Sequence, residues 1–183
     1  MNITVIYASE KGSTAEIAER VAYRLEQSGL STSLINTKQT QRLDQPSGAI
    51  ILLTPIYKGL WLPAMTHFIR RNRRAIGDTP IFGLFPCVRV LEEQGKRYAY
   101  NNYLPDYIVG NLNLVDVRFI AGKLIRKELT LDELQTLSTR YDGEKLNHIR
   151  GDYRDWFDIL DWTDRVAAII KDSSPRHAGN FNE

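Results

Sequence analysis

A short apolar run, Ile3 to Ala8, passes at once into the polar stretch Ser9-Glu10-Lys11-Gly12-Ser13-Thr14, and then into an apolar repeat at helical spacing. The run is too short for a core helix, and its apolar character on both faces suits a strand buried inside a parallel sheet. Ile17, Val21 and Leu25 recur every fourth residue, which lays one stripe of a helix against that sheet. Ser13-Thr14-Ala15-Glu16 reads as a capping box at the start of this helix, and Gly29 as its stop. A strand that turns through a polar loop into an amphipathic helix opens a βαβ unit, whose crossover is right-handed.

The rest of the chain repeats the theme. Thr32 to Ile35, Ala49 to Ile56, Ile81 to Val88 and Val115 to Ala121 read as further strands. Pro63 to Ala75 reads as a helix with proline in its first turn, and Trp156 to Lys171 as a last helix carrying Ile159, Trp162, Val166 and Ile169-Ile170. The expected fold is α/β: a doubly wound, five-stranded parallel sheet with helices on both faces. The 183 residues suit one domain over 1–172, with a frayed tail over 173–183. Two stretches exceed the minimal plan, at about 91–113 and 123–154. The second carries its own capping box, Thr130-Leu131-Asp132-Glu133, which predicts an extra helix. Additions of this length are more often functional than decorative.

Composition removes several functions. The one cysteine, Cys87, makes neither an internal disulfide nor a cysteine-based zinc site, which fits a reducing cytoplasm. His67, His148 and His177 lack metal-ligand spacing, so no metal is expected. No apolar run is long enough for a membrane span, and the N-terminus lacks the features of a signal peptide. A net charge of +2 and a pI near 8.6 are too mild to imply nucleic acid.

The loop after the first strand is the candidate site, because open α/β sheets bind ligands beyond the carboxyl ends of their strands. Ser9, Ser13 and Thr14 offer hydroxyls, Gly12 removes a side chain, Lys11 adds charge, and a helix N-terminus lies behind. The three-glycine dinucleotide fingerprint and the P-loop pattern are both absent. On physical grounds alone the loop suits a bound phosphate and a plain helix cap equally well.

Val5 through Ala18 resembles the flavodoxin signature: an aliphatic pair and an aromatic, a Ser/Thr-rich loop with a small residue, then Thr, then Ala on the helix. The resemblance implies a flavodoxin-like three-layer fold with FMN as cofactor. Its phosphate would sit in the cofactor loop Ser9-Glu10-Lys11-Gly12-Ser13-Thr14, held at Ser9, Lys11, Gly12, Ser13 and Thr14 largely through backbone amides. The flavin ring would lie between the loops after the third and fourth strands, at Pro55, Ile56, Tyr57, Lys58 and Gly59 and at Pro86, Cys87, Val88 and Arg89. Tyr57 and Trp61 are candidate faces for the ring. Lys58 and Arg89 are candidate cations for stabilising reduced flavin, and Cys87 reads as a small buried residue. No catalytic acid or base is legible.

Within flavodoxin-like proteins, the basic insertions, the Ile56-Tyr57-Lys58-Gly59 turn and Asp161-Trp162 are similar to quinone-coupled protoporphyrinogen IX dehydrogenases. The chain departs from them where Glu92 and Glu93 interrupt the basic residues Arg89, Lys96 and Arg97. That resemblance implies an oxidoreductase with a porphyrinogen and a quinone as small-molecule partners. The other readings are a small FMN electron carrier without its own substrate, and an interaction module that has lost FMN. The alkaline pI argues against the carrier, since electron-carrier flavodoxins are strongly acidic. Tyr98, Tyr100 and Tyr103 suit either a cover over a flat substrate or a self-packing flap. Arg70, Arg71, Arg73 and Arg74 form a cluster suited to a solvated face or an anionic partner. Peripheral contact of a cytoplasmic protein with an anionic membrane is one such role. Trp156, Phe157 and Trp162 are a candidate dimer face.

Overall fold

A computed structural model describes residues 2–44, 48–140 and 151–173. Five parallel strands form one sheet: β1 (Asn2–Tyr7), β2 (Ser31–Asn36), β3 (Ala49–Leu53), β6 (Ile81–Pro86) and β7 (Leu114–Ile120), in the order β2-β1-β3-β6-β7. Chain order reverses between β1 and β3, the point at which such sheets leave a crevice.

Strand pleating assigns the apolar residues to two faces. Ile3, Val5, Ala49, Ile51, Leu53, Phe82 and Leu84 pack with α1 (Ser13–Gln27) and with the last helix, α6 (Trp156–Asp172). Ile6, Ile50, Leu52, Ile81 and Phe85 face the other way, against α2 (Pro63–Ile76), α3 (Gly95–Asn102) and α4 (Asp106–Val109). Burial on both faces explains why β1, β3 and β6 read as unbroken apolar runs. The insertion expected near 91–113 is therefore α3 and α4, preceded by a 3₁₀ turn over Val88–Leu91, and it completes the second layer.

The strand read over Ala49 to Ile56 ends at Leu53. Pro55 has no N–H for a ladder, and the chain turns into a hairpin, β4 (Ile56–Tyr57) and β5 (Leu60–Trp61). Lys58 (φ 52°) and Gly59 (φ 82°) form its two-residue loop, both left-handed, which matches the twist of the flanking strands.

The capping box expected at Ser13 does not form. Ser13 is already the first helical residue and Gly12, at φ 85°, is the cap, so the hydroxyl lies too far along to reach back to the amides. Glu16 instead accepts from Arg154 at 2.6 Å. The second box does form: Thr130 Oγ1 accepts from the Glu133 N–H at 3.2 Å and Glu133 accepts from the Thr130 N–H. It starts α5 (Leu131–Arg140), which follows β8 (Lys123–Leu124) and a 3₁₀ turn over Arg126–Glu128. β9 (Gly151–Asp152) pairs antiparallel with β8 and closes the base of this insertion. Residues 141–150 of the insertion, and 174–183 of the tail, lie outside the described residues.

Three aromatics expected on one face of α6 diverge. Trp162 is 1% exposed and its Nε1 donates to Asp116 at 2.6 Å, Trp156 stacks between Arg20 and Arg154, and Phe157 alone is open to solvent. They do not make a common dimer face. Arg70, Arg71, Arg73 and Arg74 are all exposed on α2, and the last of them sit where α2 returns toward the start of β6, away from the crevice.

Between those arginines, Asn72 points inward. Its Oδ1 accepts from the Leu43 N–H at 2.8 Å, and its Nδ2 donates to the carbonyls of Gln41 and Phe68. It is the polar latch between α2 and the chain leaving β2. Asn72→Ala leaves those buried groups unpaired and is expected to cost about 2 kcal/mol, lowering the thermal midpoint by several degrees in a melting experiment.

Candidate functional site

A cavity of about 180 Å³ opens at the carboxyl ends of the central strands. Its floor is made by the loops that follow β1, β3 and β6: Glu10, Lys11, Ser13 and Thr14; Pro55, Ile56, Tyr57, Lys58 and Gly59; Pro86, Cys87, Val88 and Arg89. Three loops far apart in sequence meet there because the parallel ladder ends all of these strands at one level. The Ala8 N–H bonds to the Leu53 carbonyl, and the Cys87 N–H to that of Ile120. Ser9 and Gly12 are not among the cavity's lining residues. The Ser9 Oγ accepts from the Gly12 N–H at 3.1 Å and shapes the loop.

The start of α1 suits an anion. It carries no side-chain cap, and a Cβ added at Gly12 would meet nothing within 4 Å. Uncapped first-turn amides beside open space are the groups that hold a phosphate. The side chains expected to add charge are already engaged. Lys11 Nζ pairs with Glu133 at 3.0 Å and donates to the Glu128 carbonyl, Lys58 pairs with Asp132 at 2.5 Å, and Arg89 pairs with Glu92. Lys58 and Arg89 are therefore both ion-paired where they border the cavity.

The roof comes from the second insertion: Leu124, Ile125, Leu129, Glu133, Thr136 and Leu137. None of these was expected at the site, although the Thr130-to-Glu133 capping box located their helix. Glu133 is the centre of the roof, only 6% exposed. Burial raises its proton affinity, but donation by the Thr130 amide, Lys11, the Thr130 hydroxyl and Tyr57 outweighs this and lowers its pKa to about 2. Burial first, and then the bond to Glu133, raise the Tyr57 pKa to about 12, so the phenol keeps its proton and donates it. One carboxylate thus ties the insertion to the loop after β1 and to the β4–β5 hairpin. Arg154 anchors the other end, reaching Glu16, Asp152 and the Ser13 carbonyl at the start of α1.

Trp61 does not reach the cavity. Its ring stacks on Phe85 at 4.7 Å and its Nε1 donates to the Tyr103 carbonyl at 2.7 Å. Of the tyrosines in the first insertion only Tyr103 lines the cavity; Tyr100 packs edge-on to Phe119, and Tyr98 covers Arg89 at 3.9 Å. Among the described residues no acidic, histidine or cysteine cluster suited to a metal occurs, and no helix is long and apolar enough to cross a membrane.

Residues 4–145 match the family model of the flavodoxin domain. The chain belongs to the flavodoxin family. Solved flavodoxin-type structures share its fold at low identity. A WrbA-like flavodoxin from Agrobacterium tumefaciens is 18% identical with a TM-score of 0.55, covering 93% of this chain and 98% of its own. A flavodoxin from the domain Archaea is 15% identical with a TM-score of 0.51, covering 93% and 99%. A flavoprotein from Lactobacillus acidophilus, solved in complex with FMN, is 11% identical with a TM-score of 0.50, covering 64% and 92%. No curated protein matches the chain in sequence.

The position of Glu133 in this flavodoxin domain sets a pH dependence. Its folded pKa, about 2, lies below the ordinary 4.5, so its contribution is complete above pH 4.5 and is lost as pH falls toward 2. That contribution is on the order of 2–3 kcal/mol. Urea midpoints measured across pH 2 to 7 should fall steeply at the acid end for the native chain and more shallowly for Glu133→Gln. Parallel curves would show that the carboxylate is not held by these partners.

Proposed function

We propose that this flavodoxin domain holds FMN in the roofed cavity and works as an oxidoreductase on a small-molecule substrate. The observation that carries the proposal is the pairing of an uncapped, open α1 N-terminus with a partly apolar cavity at the switch point. Ser13, Thr14 and the backbone of the Ser9–Gly12 loop would hold the phosphate, and Tyr57, Val88 and Tyr103 would offer surfaces to the ring. FMN, when bound, supplies reversible hydride and single-electron exchange. The protein's part is to bind, orient and exclude water, and the leucine-rich roof does the last of these.

The roof also favours an enzyme over a carrier. A protein partner taking electrons needs an exposed cofactor edge, whereas Leu124, Ile125, Leu129 and Leu137 cover this cavity with apolar side chains. The alkaline pI points the same way. The sequence resemblance makes protoporphyrinogen IX, with a quinone as acceptor, the first substrate pair to assay. Of the exposed arginines of α2, Arg73 and Arg74 lie in its last turn, at the end remote from the cavity, so contact with an anionic surface there leaves the cavity mouth free.

The cavity is smaller than the roughly 300–1,000 Å³ usual for ligand sites. Loading FMN therefore requires α5 to yield, and the ties that resist are Lys11–Glu133, Tyr57–Glu133 and Lys58–Asp132. Two outcomes are expected from flavin fluorescence titrations. FMN should bind at least about 100-fold more tightly than riboflavin, which lacks the phosphate that the α1 terminus would hold. Glu133→Gln should take up FMN several-fold faster than the native chain. A colourless protein that binds FMN no better than riboflavin would remove the cofactor and the enzyme together.

A further inference from the structure

A second cavity, of about 330 Å³, adjoins the first. Arg89 lines both. The second is polar, and its lining includes Glu92, Glu93, Arg97, Tyr98, Asn101 and Asn102. It lies at the start of α3, an eight-residue helix whose cap, Gln94, offers no side-chain acceptor to the first-turn amides.

Arg89 is held there with unusual firmness and an unmet need. Its guanidinium stacks on Tyr98 and one terminal nitrogen pairs with Glu92. Its Nε is buried and has no hydrogen-bond partner among the described residues. Buried donors are nearly always paired, and a guanidinium with a donor still unpaired is suited to a carboxylate. Gly95 fixes the geometry from behind: a Cβ there would stand 1.7 Å from the Arg89 carbonyl oxygen, so only glycine lets α3 approach the arginine this closely.

We propose that Arg89 and the start of α3 form an anion subsite that recognises the carboxylate of an apolar, carboxylate-bearing substrate. The apolar body of that substrate occupies the neighbouring cavity, against Leu124, Ile125 and Leu129. The charge of Arg97 is offset by Glu93 in the same lining, so the carboxylate contact falls to Arg89, for whose guanidinium Glu92 competes until the ligand arrives. The substrate assignment rests on the proposed oxidoreductase reading, but the carboxylate contact is made by this chain's own residues and is open to a separate test.

That test uses benzoate and its neutral analogue benzamide as probes, titrated calorimetrically into the full-length chain without flavin, and by visible absorption into the FMN-loaded chain. Benzoate should bind saturably and benzamide about tenfold more weakly or worse. Arg89→Gln should abolish the preference for benzoate. Glu92→Gln should strengthen benzoate binding several-fold by releasing the guanidinium, an opposite sign that a merely damaged fold does not produce. Equal binding of the two probes, or a Glu92→Gln chain that binds benzoate no better, would overturn the subsite. Benzoate binding without any FMN binding would leave the subsite standing and remove the redox reading instead.

Discussion

Burial of β1 and β3 on both faces is the constraint from which the rest follows. These strands lie side by side at the centre of the sheet, paired in parallel from Ile3 with Ala49 to Tyr7 with Leu53. Each is covered on one face by α1 and α6 and on the other by α2 and its neighbours. With both faces filled, the connections that leave their carboxyl ends diverge, one toward β2 and the other toward β6, and a crevice opens between them. The loop after β1 and the β4–β5 hairpin face each other for this reason, although more than forty residues separate them.

On that frame the second insertion turns an open crevice into a roofed cavity. Its hold is electrostatic at the tip and mixed at the base. Glu133 gathers Lys11, Tyr57 and the Thr130 amide at the tip, while β8–β9 pairing and Arg154 fix the base to the start of α1. Contacts of the first kind are strong when desolvated yet few, so the tip of the roof is held by a small number of groups. The apolar residues it carries then meet whatever occupies the site.

Charge is distributed in the same spirit. The site's own cations are paired with nearby carboxylates, and Arg73 and Arg74 lie at the far end of α2. The guanidinium of Arg89 stands apart because its pairing is incomplete at Nε, and it sits between two cavities.

Much of this was legible in the residues because it depends on local pattern. Apolar runs of strand length, helical stripes, the Thr130 capping box and the Gly29 stop are short-range signals, and each appears in the structure near its expected place. Gly29, at φ 81°, closes α1 with the bonds Gly29 N–H to Glu26 and Leu30 N–H to Leu25. The Ser13 box failed because Gly12 and Ser13 exchanged roles by one residue, a shift that Arg154, 138 positions beyond Glu16, helps to hold. Trp61 turned inward to Phe85 and Tyr103, and Glu133 turned toward Lys11 and Tyr57, through contacts between segments that no local spacing encodes. The sequence by itself determined the sheet, its helices and the loop offered to a phosphate. Only the tertiary structure decided which charges are spent on one another, which side chains roof the cavity and which donor is left unpaired, because those outcomes depend on which distant groups share the same few ångströms.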